Sequence, residues 1–299
     1  MTGRPWSEAA EHALYGPDGF FVRSAPAAHF RTSVTASPAY AAAVRRLAGR
    51  VDEALGRPDP FDLVDVGAGR GELLSALPDV PARWRLTAVE RAPDPGGPHR
   101  WLAEVPELTG LLFANEWLDD VPLDVVEDGR LVLVDDAGRE RPGPAAPPEL
   151  LDWARRWWPG PGRVEVGLSR DRAWAAAVAR VGRGAAVAVD YGHLADDRRA
   201  TLTGYRAGRR VPPVPDGSCD VTAHVALDSC AAATGSRVLR QRGALRALGV
   251  SGALPAYGGD PRAYAAALSA ASSAAALLDP AGLGGFGWLV REVGVDPVL

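Results

Sequence analysis

The sequence contains no lysine, so its positive charge comes only from arginines, which are spread singly or in pairs. The net charge at pH 7 is −4, and runs of positive charge are missing. Such a chain has no basic field with which to hold nucleic acid. Its richness in Ala, Gly, Pro and Arg indicates a GC-rich bacterial genome. We therefore expect a bacterial protein that does not bind nucleic acid.

Cysteine is scarce as well, and Cys219 and Cys230 form neither a CxxC motif nor a metal-binding spacing. The N-terminal residues lack a basic segment followed by an apolar one, so we expect no signal peptide. The longest apolar stretch, residues 263–278, is too short and too rich in Ala and Ser to span a bilayer. The histidines show no metal spacing. These absences predict a cytoplasmic protein without a membrane span and without a metal site.

Short apolar segments bounded by turn residues alternate with helical patterns along the chain. Four segments have the pattern of buried parallel strands: FDLVDVG (61–67), RLTAVE (85–90), GLLFANE (110–116) and RGAAVAVDYG (183–192). A helix is predicted over residues 37–56, with Ser37 as its cap and Pro38 in its first position. Strands that alternate with helices predict a doubly wound, Rossmann-like α/β sheet, with extra helical elements towards both ends of the chain.

The region between the third and fourth of these strands has a different pattern. Residues 125–140 resemble a hairpin with Asp-Gly and Ala-Gly turns, RPGPAAPP (141–148) is linker-like, and residues 149–159 predict an amphipathic helix. We therefore divide the chain into three parts: an N-terminal helical segment (1–56), an α/β core (57–123 and 164–299) and an inserted hairpin and helix (124–163).

The stretch DVGAGRGELL (65–74) joins the first predicted strand to a helix through a glycine turn. Gly67, Gly69 and Gly71 let the backbone approach a ligand without a Cβ in the way. Their spacing is G-x-G-x-G, whereas the dinucleotide fingerprint has the longer spacing G-x-G-x-x-G that a pyrophosphate needs. The tighter turn, with Asp65 two residues ahead of it, suits the amino-acid end of S-adenosylmethionine (SAM).

Glu90 ends the second predicted strand, roughly twenty residues after the glycine turn. A carboxylate in this position can accept hydrogen bonds from both hydroxyls of a ribose. A solvated strand end is the alternative interpretation of Glu90. Together, the glycine turn and Glu90 predict SAM as the cofactor, and they favour a SAM-dependent methyltransferase over a nicotinamide enzyme.

Several segments together resemble the MidA-type SAM-dependent methyltransferases, a family that includes the mitochondrial complex I assembly factor that methylates a protein arginine. The similar segments occur in consistent order from about residue 12 to about residue 290: YGPDGFF (15–21), FRTSVTASPAY (30–40), DVGAGRGELL, ANEWLDDVP (114–122), AVAVDYG (186–192), TLTGYRAGRR (201–210) and DVTAHV (220–225). In that family the Asn-Glu segment belongs to strand four, so the resemblance implies an insertion after strand four. The segment RAPDPGGPHRW (91–101) departs from the family, because it is short and rich in Pro and Gly where a helix is usual.

Carboxylates cluster after GLLFANE, at Glu116, Asp119 and Asp120. Carboxylates can hold a guanidinium bidentately, orient one nitrogen and favour its loss of a proton during methyl transfer. We therefore expect Glu116 and Asp119 to act in catalysis and Asp120 to contact the substrate. Acids after a strand also commonly cap the next helix or loop, which is the alternative for Asp119 and Asp120. The resemblance implies that Asn115 faces the methionine end of the cofactor.

Further candidates lie elsewhere in the similar segments. Thr32 and Ser33 are expected to close over the cofactor. Asp190 and Tyr191 end another strand at the edge where open α/β sheets bind ligands, and they are expected to contact the substrate, although Asp190 could instead cap a loop. His224 follows at an apparent helix start, and the T-A-H-V match implies a substrate contact or a proton acceptor there.

Three functional hypotheses follow. Methylation of a protein arginine predicts an acidic groove that is open enough for a loop or a chain end of another protein. A small-molecule O- or N-methyltransferase predicts a closed apolar pocket with the insertion as its lid. A SAM-binding assembly factor with little catalysis would fit the shortened segment 91–101. The carboxylate cluster and the resemblance favour the first hypothesis, but the sequence indicates neither the target protein nor the oligomeric state.

Overall fold

The structure is a computed structural model that describes residues 3–23 and 32–299. Its helices in these ranges are α1 (Trp6–Tyr15), α2 (Phe20–Arg23), α3 (Ser33–Ala36), α4 (Pro38–Ala54), α5 (Glu72–Ala76), α6 (Pro148–Trp157), α7 (Leu168–Val178), α8 (Leu227–Thr234), α9 (Gln241–Ala247) and α10 (Pro261–Leu278). Part of the predicted N-terminal motif, Phe30 and Arg31, lies outside the described residues, as does His29.

The strands are numbered in the same way. They are β1 (Arg4–Pro5), β2 (Phe61–Val66), β3 (Trp84–Val89), β4 (Arg100–Leu102), β5 (Leu108–Asn115), β6 (Asp124–Glu127), β7 (Arg130–Val134), β8 (Glu140–Ala145), β9 (Arg163–Val166), β10 (Val181–Asp190), β11 (Gly192–His193), β12 (Thr203–Arg206), β13 (Arg209–Val211), β14 (Asp220–Thr222), β15 (Val225–Ala226), β16 (Arg237–Arg240) and β17 (Gly287–Val293).

A seven-stranded sheet with the order β16-β17-β10-β5-β2-β3-β4 forms the centre of the molecule. The strands β10, β5, β2, β3 and β4 are parallel, whereas β17 runs antiparallel to both of its neighbours. Every residue of β2 is buried, as expected for a parallel strand that is covered on both faces. The prediction of a doubly wound α/β fold is confirmed.

Alternate side chains of the central strands enter two cores, because successive residues of a strand point to opposite faces. On one face Leu63 and Phe113 pack with residues of α4 and α10, and on the other Val64 and Leu112 pack with residues of α7 and α8. The start of α4 is as predicted, with Pro38 in its first position and the Ser37 hydroxyl accepting a hydrogen bond from the amide of Ala39 at 3.3 Å. Within the described ranges, no helix has the length and apolarity needed to cross a membrane.

The sheet contains three strands that the sequence interpretation did not include. Strand β4 lies at one edge, beyond β3, and makes the segment GLLFANE the fourth strand of the sheet in chain order. The other edge is built by β16 and β17, although only helical elements were expected in that part of the chain. The apolar stretch before β17 forms the helix α10.

The insertion belongs to a second, smaller sheet with the order β1-β7-β6-β9, in which β8 also pairs with β7. The predicted hairpin is present, and its Asp128-Gly129 turn has positive φ at both residues. The prediction that RPGPAAPP is a linker is wrong, because residues 140–145 form strand β8. Proline is tolerated in a strand with one unpaired side. The division of the chain at residues 56, 123 and 163 stays a prediction.

The topology places a crevice at the carboxyl ends of β2 and β5. Strand β3 lies on one side of β2 in the sheet, and β5 lies on the other side. The strand order therefore reverses at β2 and β5, and ligands bind at such a point in open α/β sheets. Two small sheets, β11-β15 and β13-β12-β14, follow β10 in the chain. They bring residues 220–226 to the same edge as the ends of β5 and β10.

Candidate active site

A cavity of about 1160 Å³ lies at this edge of the sheet. One half is lined by the glycine turn after β2 and by residues 89–95 and 103–105, and the other half by the ends of β5 and β10 with Asp220 and His224. We call the first the cofactor half and the second the acceptor half, after the ligands that the sequence predicts for them. No residue of the insertion 124–163 lines the cavity.

The glycine turn has the conformation that its composition predicts. Gly67, Gly69 and Gly71 have φ values of 69°, 59° and 80°, which L side chains rarely adopt. A Cβ at Gly67 would also lie 3.0 Å from the ring of Trp117, another residue that lines the cavity. The turn therefore needs glycine both for its backbone and for the close approach of its neighbour.

Asp65 is the penultimate residue of β2, two positions before this turn, and it lines the cavity. Its burial raises the pKa of its carboxyl group well above the ordinary value, and the nearby carboxylates of Glu72 and Glu90 raise it further. No residue in the described part of the chain donates a hydrogen bond to this group. A cationic ligand group would supply both the missing donor and the missing charge, so Asp65 fits the ammonium of the amino-acid end of SAM.

Glu90 follows β3 and is fixed beside the glycine turn by backbone amides. Its Oε2 accepts a hydrogen bond from the amide of Gly69 at 3.0 Å, and its Oε1 accepts from the amides of Arg91 and Ala92 at 2.7 and 3.1 Å. The Arg91 guanidinium stacks on the ring of Tyr15, 3.9 Å from its centroid, which attaches α1 to this side of the cavity. The shortened segment after Glu90 still supplies a wall, since residues 92–95 line the cavity.

Asn115 ends β5 and Glu116 follows it, at the boundary between the two halves. The Tyr40 hydroxyl donates to Asn115 Oδ1, and Asn115 Nδ2 donates to Glu116 Oε1 at 3.1 Å. The same Glu116 oxygen accepts a hydrogen bond from the amide of Ser33 at 3.0 Å. Glu116 has a φ of 51°, which is uncommon for a residue other than glycine. This strained backbone presents the Glu116 carboxylate to the cavity.

The acid–base state of Glu116 is finely balanced. Burial raises its pKa, and the hydrogen bond from Ser33 lowers it; the charge of Asp119 raises it again, and the hydrogen bond from Asn115 lowers it, so that the pKa lies at about 7. Both protonation states of Glu116 are therefore populated near neutral pH.

Asp119 lies in the loop after β5 with its carboxylate in the acceptor half. Its Oδ2 accepts hydrogen bonds from the hydroxyls of Tyr191 and Thr222, the latter at 2.9 Å. Its Oδ1 is buried and has no hydrogen-bond partner among the described residues. The side chain is thus held on one oxygen, and its other oxygen lacks a hydrogen-bond donor.

Asp190 does not line the cavity, although the sequence placed it among the substrate contacts. Its Oδ2 accepts hydrogen bonds from the amides of Leu118 and Asp119 at 2.9 and 3.4 Å, and it is 1% exposed. Burial raises its pKa well above the ordinary value, and the charges of Asp119 and Glu116 add to the effect. These contacts match the loop-capping alternative, in which Asp190 supports the loop that carries Asp119.

Asp220 is a site residue that the sequence interpretation missed. It begins β14, is 5% exposed and lines the acceptor half, where its carboxyl group makes a hydrogen bond with that of Asp120. Burial and the charge of Asp119 raise the pKa of Asp220 to about 8. The signal was present in the segment DVTAHV, which begins with this residue but was interpreted only for His224.

Tyr191 and His224 form an aromatic side of the acceptor half. Their rings lie 5.3 Å apart at 76°. Burial lowers the pKa of His224, as does the charge of Arg199, so the imidazole is neutral at neutral pH. His224 lies between β14 and β15, and the next helix begins only at Leu227, so the predicted helix start at His224 is wrong.

Arg170 on α7 supports the acceptor half from behind. It is 2% exposed, and its guanidinium donates to the main-chain carbonyls of Val121 (3.0 Å), Ala223 (2.9 Å), His224 (3.0 Å) and Asp119. One side chain thereby joins the loop of Asp119 to the loop of His224. Nothing in the sequence marks Arg170, since its partners are backbone atoms that only the fold brings together.

Thr32 and Ser33 have different positions relative to the cavity. Thr32 lines it and caps α3, with its hydroxyl accepting from the amide of Thr35 at 3.4 Å. Ser33 is fully buried, does not line the cavity, and accepts a hydrogen bond from Gln241 Nε2 at 3.1 Å on its hydroxyl. Its amide contacts Glu116, so the structure connects Ser33 to the acceptor side rather than to the cofactor. Within the ranges described, no group of His, Cys, Asp and Glu side chains has an arrangement that could hold a metal ion.

A glycine turn with an acid before it, a second acid after the next strand and a cavity at the carboxyl edge define a SAM-binding α/β enzyme. A family model described as "Putative S-adenosyl-L-methionine-dependent methyltransferase" matches residues 85–243, and the chain belongs to this family. It is a SAM-dependent methyltransferase.

Two solved structures from Burkholderia thailandensis are similar to this chain. One is a superfamily member described as a "likely methyl transferase" and bound to S-adenosylhomocysteine; it is 25% identical, has a TM-score of 0.80, and the match covers 99% of this chain and 89% of that chain. The other is a native structure of an uncharacterized protein of the same superfamily, with 25% identity, a TM-score of 0.78, and coverage of 99% and 88%. A search of curated proteins gave no match.

Proposed function

We propose that this methyltransferase acts on the guanidinium group of an arginine side chain in another protein. One observation carries the proposal: four carboxyl groups, those of Glu116, Asp119, Asp120 and Asp220, line one half of the cavity. The buried cation behind them, Arg170, donates to main-chain carbonyls and leaves these carboxyl groups available. A site of this composition selects a cationic acceptor.

SAM supplies an activated methyl group when it is bound. The residues that would hold it are Asp65, the glycine turn, Glu90 and Asn115, with Thr32 beside them. These residues would hold the donor at the boundary of the two halves, next to Glu116. Methyl transfer needs chiefly the alignment of nucleophile and methyl carbon and the exclusion of water.

Glu116 and Asp119 have the main roles in holding the acceptor. A guanidinium is planar and has paired N–H donors, which carboxylates grip in a fixed orientation. Asp119 has one unpartnered oxygen, counted over the described residues, and Glu116 is ionised in an appreciable fraction of molecules at neutral pH. The rings of Tyr191 and Phe286, 5.5 Å apart, offer faces for cation–π contact. His224 would serve as a substrate contact or as a proton acceptor.

A protein acceptor agrees better with the shape of the site than a small molecule does. The small-molecule hypothesis expects the insertion to cover the pocket, but residues 124–163 do not line the cavity. The resemblance to the MidA-type family, with its arginine-methylating member, supports the same acceptor.

The test is a transfer reaction with SAM labelled in its methyl group and a bacterial protein extract as acceptor. We expect label in protein and, after acid hydrolysis, in methylated arginine. The Glu116→Gln variant serves as the inactive control. Label confined to small molecules, or to other amino acids, would contradict the proposal.

A further inference from the structure

We infer that Asp120 and Asp220 share one proton in the ligand-free enzyme, release it when a cationic acceptor binds, and then take up the proton that leaves the nucleophilic nitrogen. The inference rests on the proposed function, since it assigns the proton acceptor of that same reaction. It gives a role to Asp220, which no sequence argument had singled out.

The contact between the two carboxyl groups supports a shared proton. Strand β14 places Asp220 against the loop after β5, and its carboxyl group makes a hydrogen bond with that of Asp120. Two carboxyl groups in such contact cannot both be ionised without strong repulsion. Each also has a buried oxygen that finds no partner within the described residues, and both side chains line the acceptor half. The pair therefore lacks donors for two of its oxygens at the wall of the acceptor half.

The surroundings of the pair hold the proton in place at neutral pH. The groups that face it come from four elements: Asp119 from the same loop, Asp190 and Tyr191 from the end of β10, Tyr15 from α1 and Arg170 from α7. Burial raises the pKa of Asp120, and Asp119, Asp220 and Asp190 raise it further, whereas Arg170 alone lowers it. The charge balance therefore favours one proton on the pair until a second cation arrives.

A bound guanidinium provides that cation. Its N–H donors satisfy the unpartnered oxygens and its charge stabilises two ionised carboxylates, so that the shared proton is released to solvent. As a guanidinium nitrogen forms the new C–N bond, the C–S bond of the donor breaks and its electron pair stays on sulfur. The charge of the sulfonium is thus lost, one proton leaves the methylated nitrogen, and the ionised pair accepts it. The product is again a guanidinium cation.

The alternative proton acceptor is His224, which is neutral at neutral pH and lines the same half of the cavity. The two candidates make different predictions. If the pair is the acceptor, binding of the substrate releases a proton from it. If His224 is the acceptor, its neutral imidazole takes up a proton only during the reaction, and binding releases none from it.

The experiment is a calorimetric titration of the protein, saturated with S-adenosylhomocysteine, with Nα-acetyl-arginine N-methylamide at pH 7. Measurement in two buffers of different ionisation enthalpy counts the protons released. Glu116 releases protons on binding in both proteins, so we expect the wild type to release about one proton more per bound probe than Asp220→Asn does. The same variant should lower kcat about 100-fold, within the range for loss of a general base. Asp120→Asn should behave alike, and it replaces the first variant if that does not fold.

The matched control is Asp196→Asn, an exposed aspartate on the turn Ala195–Asp197, which should release protons as the wild type does. Equal proton release in the wild type and in Asp220→Asn, or a wild-type kcat in that variant, would overturn the shared-proton role alone. Loss of kcat with normal proton release in His224→Ala, while Asp220→Asn stays active, would assign the role to His224. Failure of the wild type to bind the probe would overturn the arginine proposal and this inference with it.

Discussion

The backbone amide of Ser33 donates a hydrogen bond of 3.0 Å to the Glu116 carboxylate, although the two residues lie 83 positions apart in the chain. Ser33 begins the short helix α3, and Glu116 follows strand β5 in a left-handed backbone conformation. The bond attaches the N-terminal part of the chain to the carboxyl edge of the sheet. It also favours the ionised form of Glu116 against the cost of burial, which is why this carboxylate titrates near neutral pH.

The pH dependence of methyl transfer should follow Glu116. Its pKa of about 7 means that the group is protonated below that pH and cannot hold a cation. We expect kcat/KM to rise with pH through an inflection at about pH 7 that belongs to Glu116, while the Asp120–Asp220 pair contributes a separate rise at higher pH. The profile of Glu116→Gln should lack this inflection, and an unchanged profile in that variant would contradict the assignment.

Ionisation of Glu116 should lower the stability of the ligand-free protein as the pH rises, whereas it should raise the rate of methyl transfer. Because the folded-state pKa of Glu116 is raised from 4.5, its contribution to stability is fully present below pH 4.5 and is lost as the pH rises through about 7. The glutamine in Glu116→Gln cannot ionise. Without S-adenosylhomocysteine, the melting temperature of this variant should therefore rise relative to that of the wild type as the pH increases from 5 to 9. Parallel melting curves at all pH values would contradict the sign.

The cofactor turn should not tolerate a side chain at Gly69. A Cβ there would lie 3.0 Å from Glu72 Oε2, and the φ of 59° strains any β-branched residue. We expect Gly69→Val to abolish S-adenosylhomocysteine binding in calorimetry. Gly56→Val is the matched control, because Gly56 has a φ of 77° but no atom within 4 Å of its added Cβ. Equal affinity in both variants would refute the placement of the turn.

Arg170 should be a main source of stability at the acceptor half. Replacement with Met would leave the carbonyls of two loops without their donor and the buried acids without their cation, and we expect a loss of about 3 kcal/mol or more in urea unfolding. Arg172→Met, two residues along the same helix, removes only an exposed ion pair with Glu149 and should cost less than about 1 kcal/mol. Similar losses in the two variants would mean that Arg170 has no such role.

The central strands could be predicted because a buried parallel strand is a short apolar run with turn residues at each end. Strand β4 could not, since Arg100–Leu102 is short and only its pairing with β3 makes it a strand. Strand β8 contains two prolines, which in the sequence indicated a linker, and its pairing with β7 overrides that local signal.

The cofactor side of the site could also be predicted from the sequence, because a glycine turn and two strand ends are local features. The acceptor side depends on contacts between distant segments. Asp220 meets Asp120 only through the folding of β14 across the edge of the sheet, and Arg170 acts on backbone atoms. Asp190 was placed correctly at the carboxyl edge, but its side chain supports a loop instead of facing the cavity.

The most direct test of the account is a comparison of the wild type with Glu116→Gln in two assays. The first is calorimetric binding of S-adenosylhomocysteine, and the second is transfer of labelled methyl groups to arginine in protein. Glu127→Gln is the matched control, since Glu127 is an exposed glutamate on β6 outside the cavity. We expect Glu116→Gln to bind S-adenosylhomocysteine with unchanged affinity and to lose methyl transfer by about 100-fold or more, while Glu127→Gln keeps both. Methyl transfer at the wild-type rate in Glu116→Gln would contradict the account.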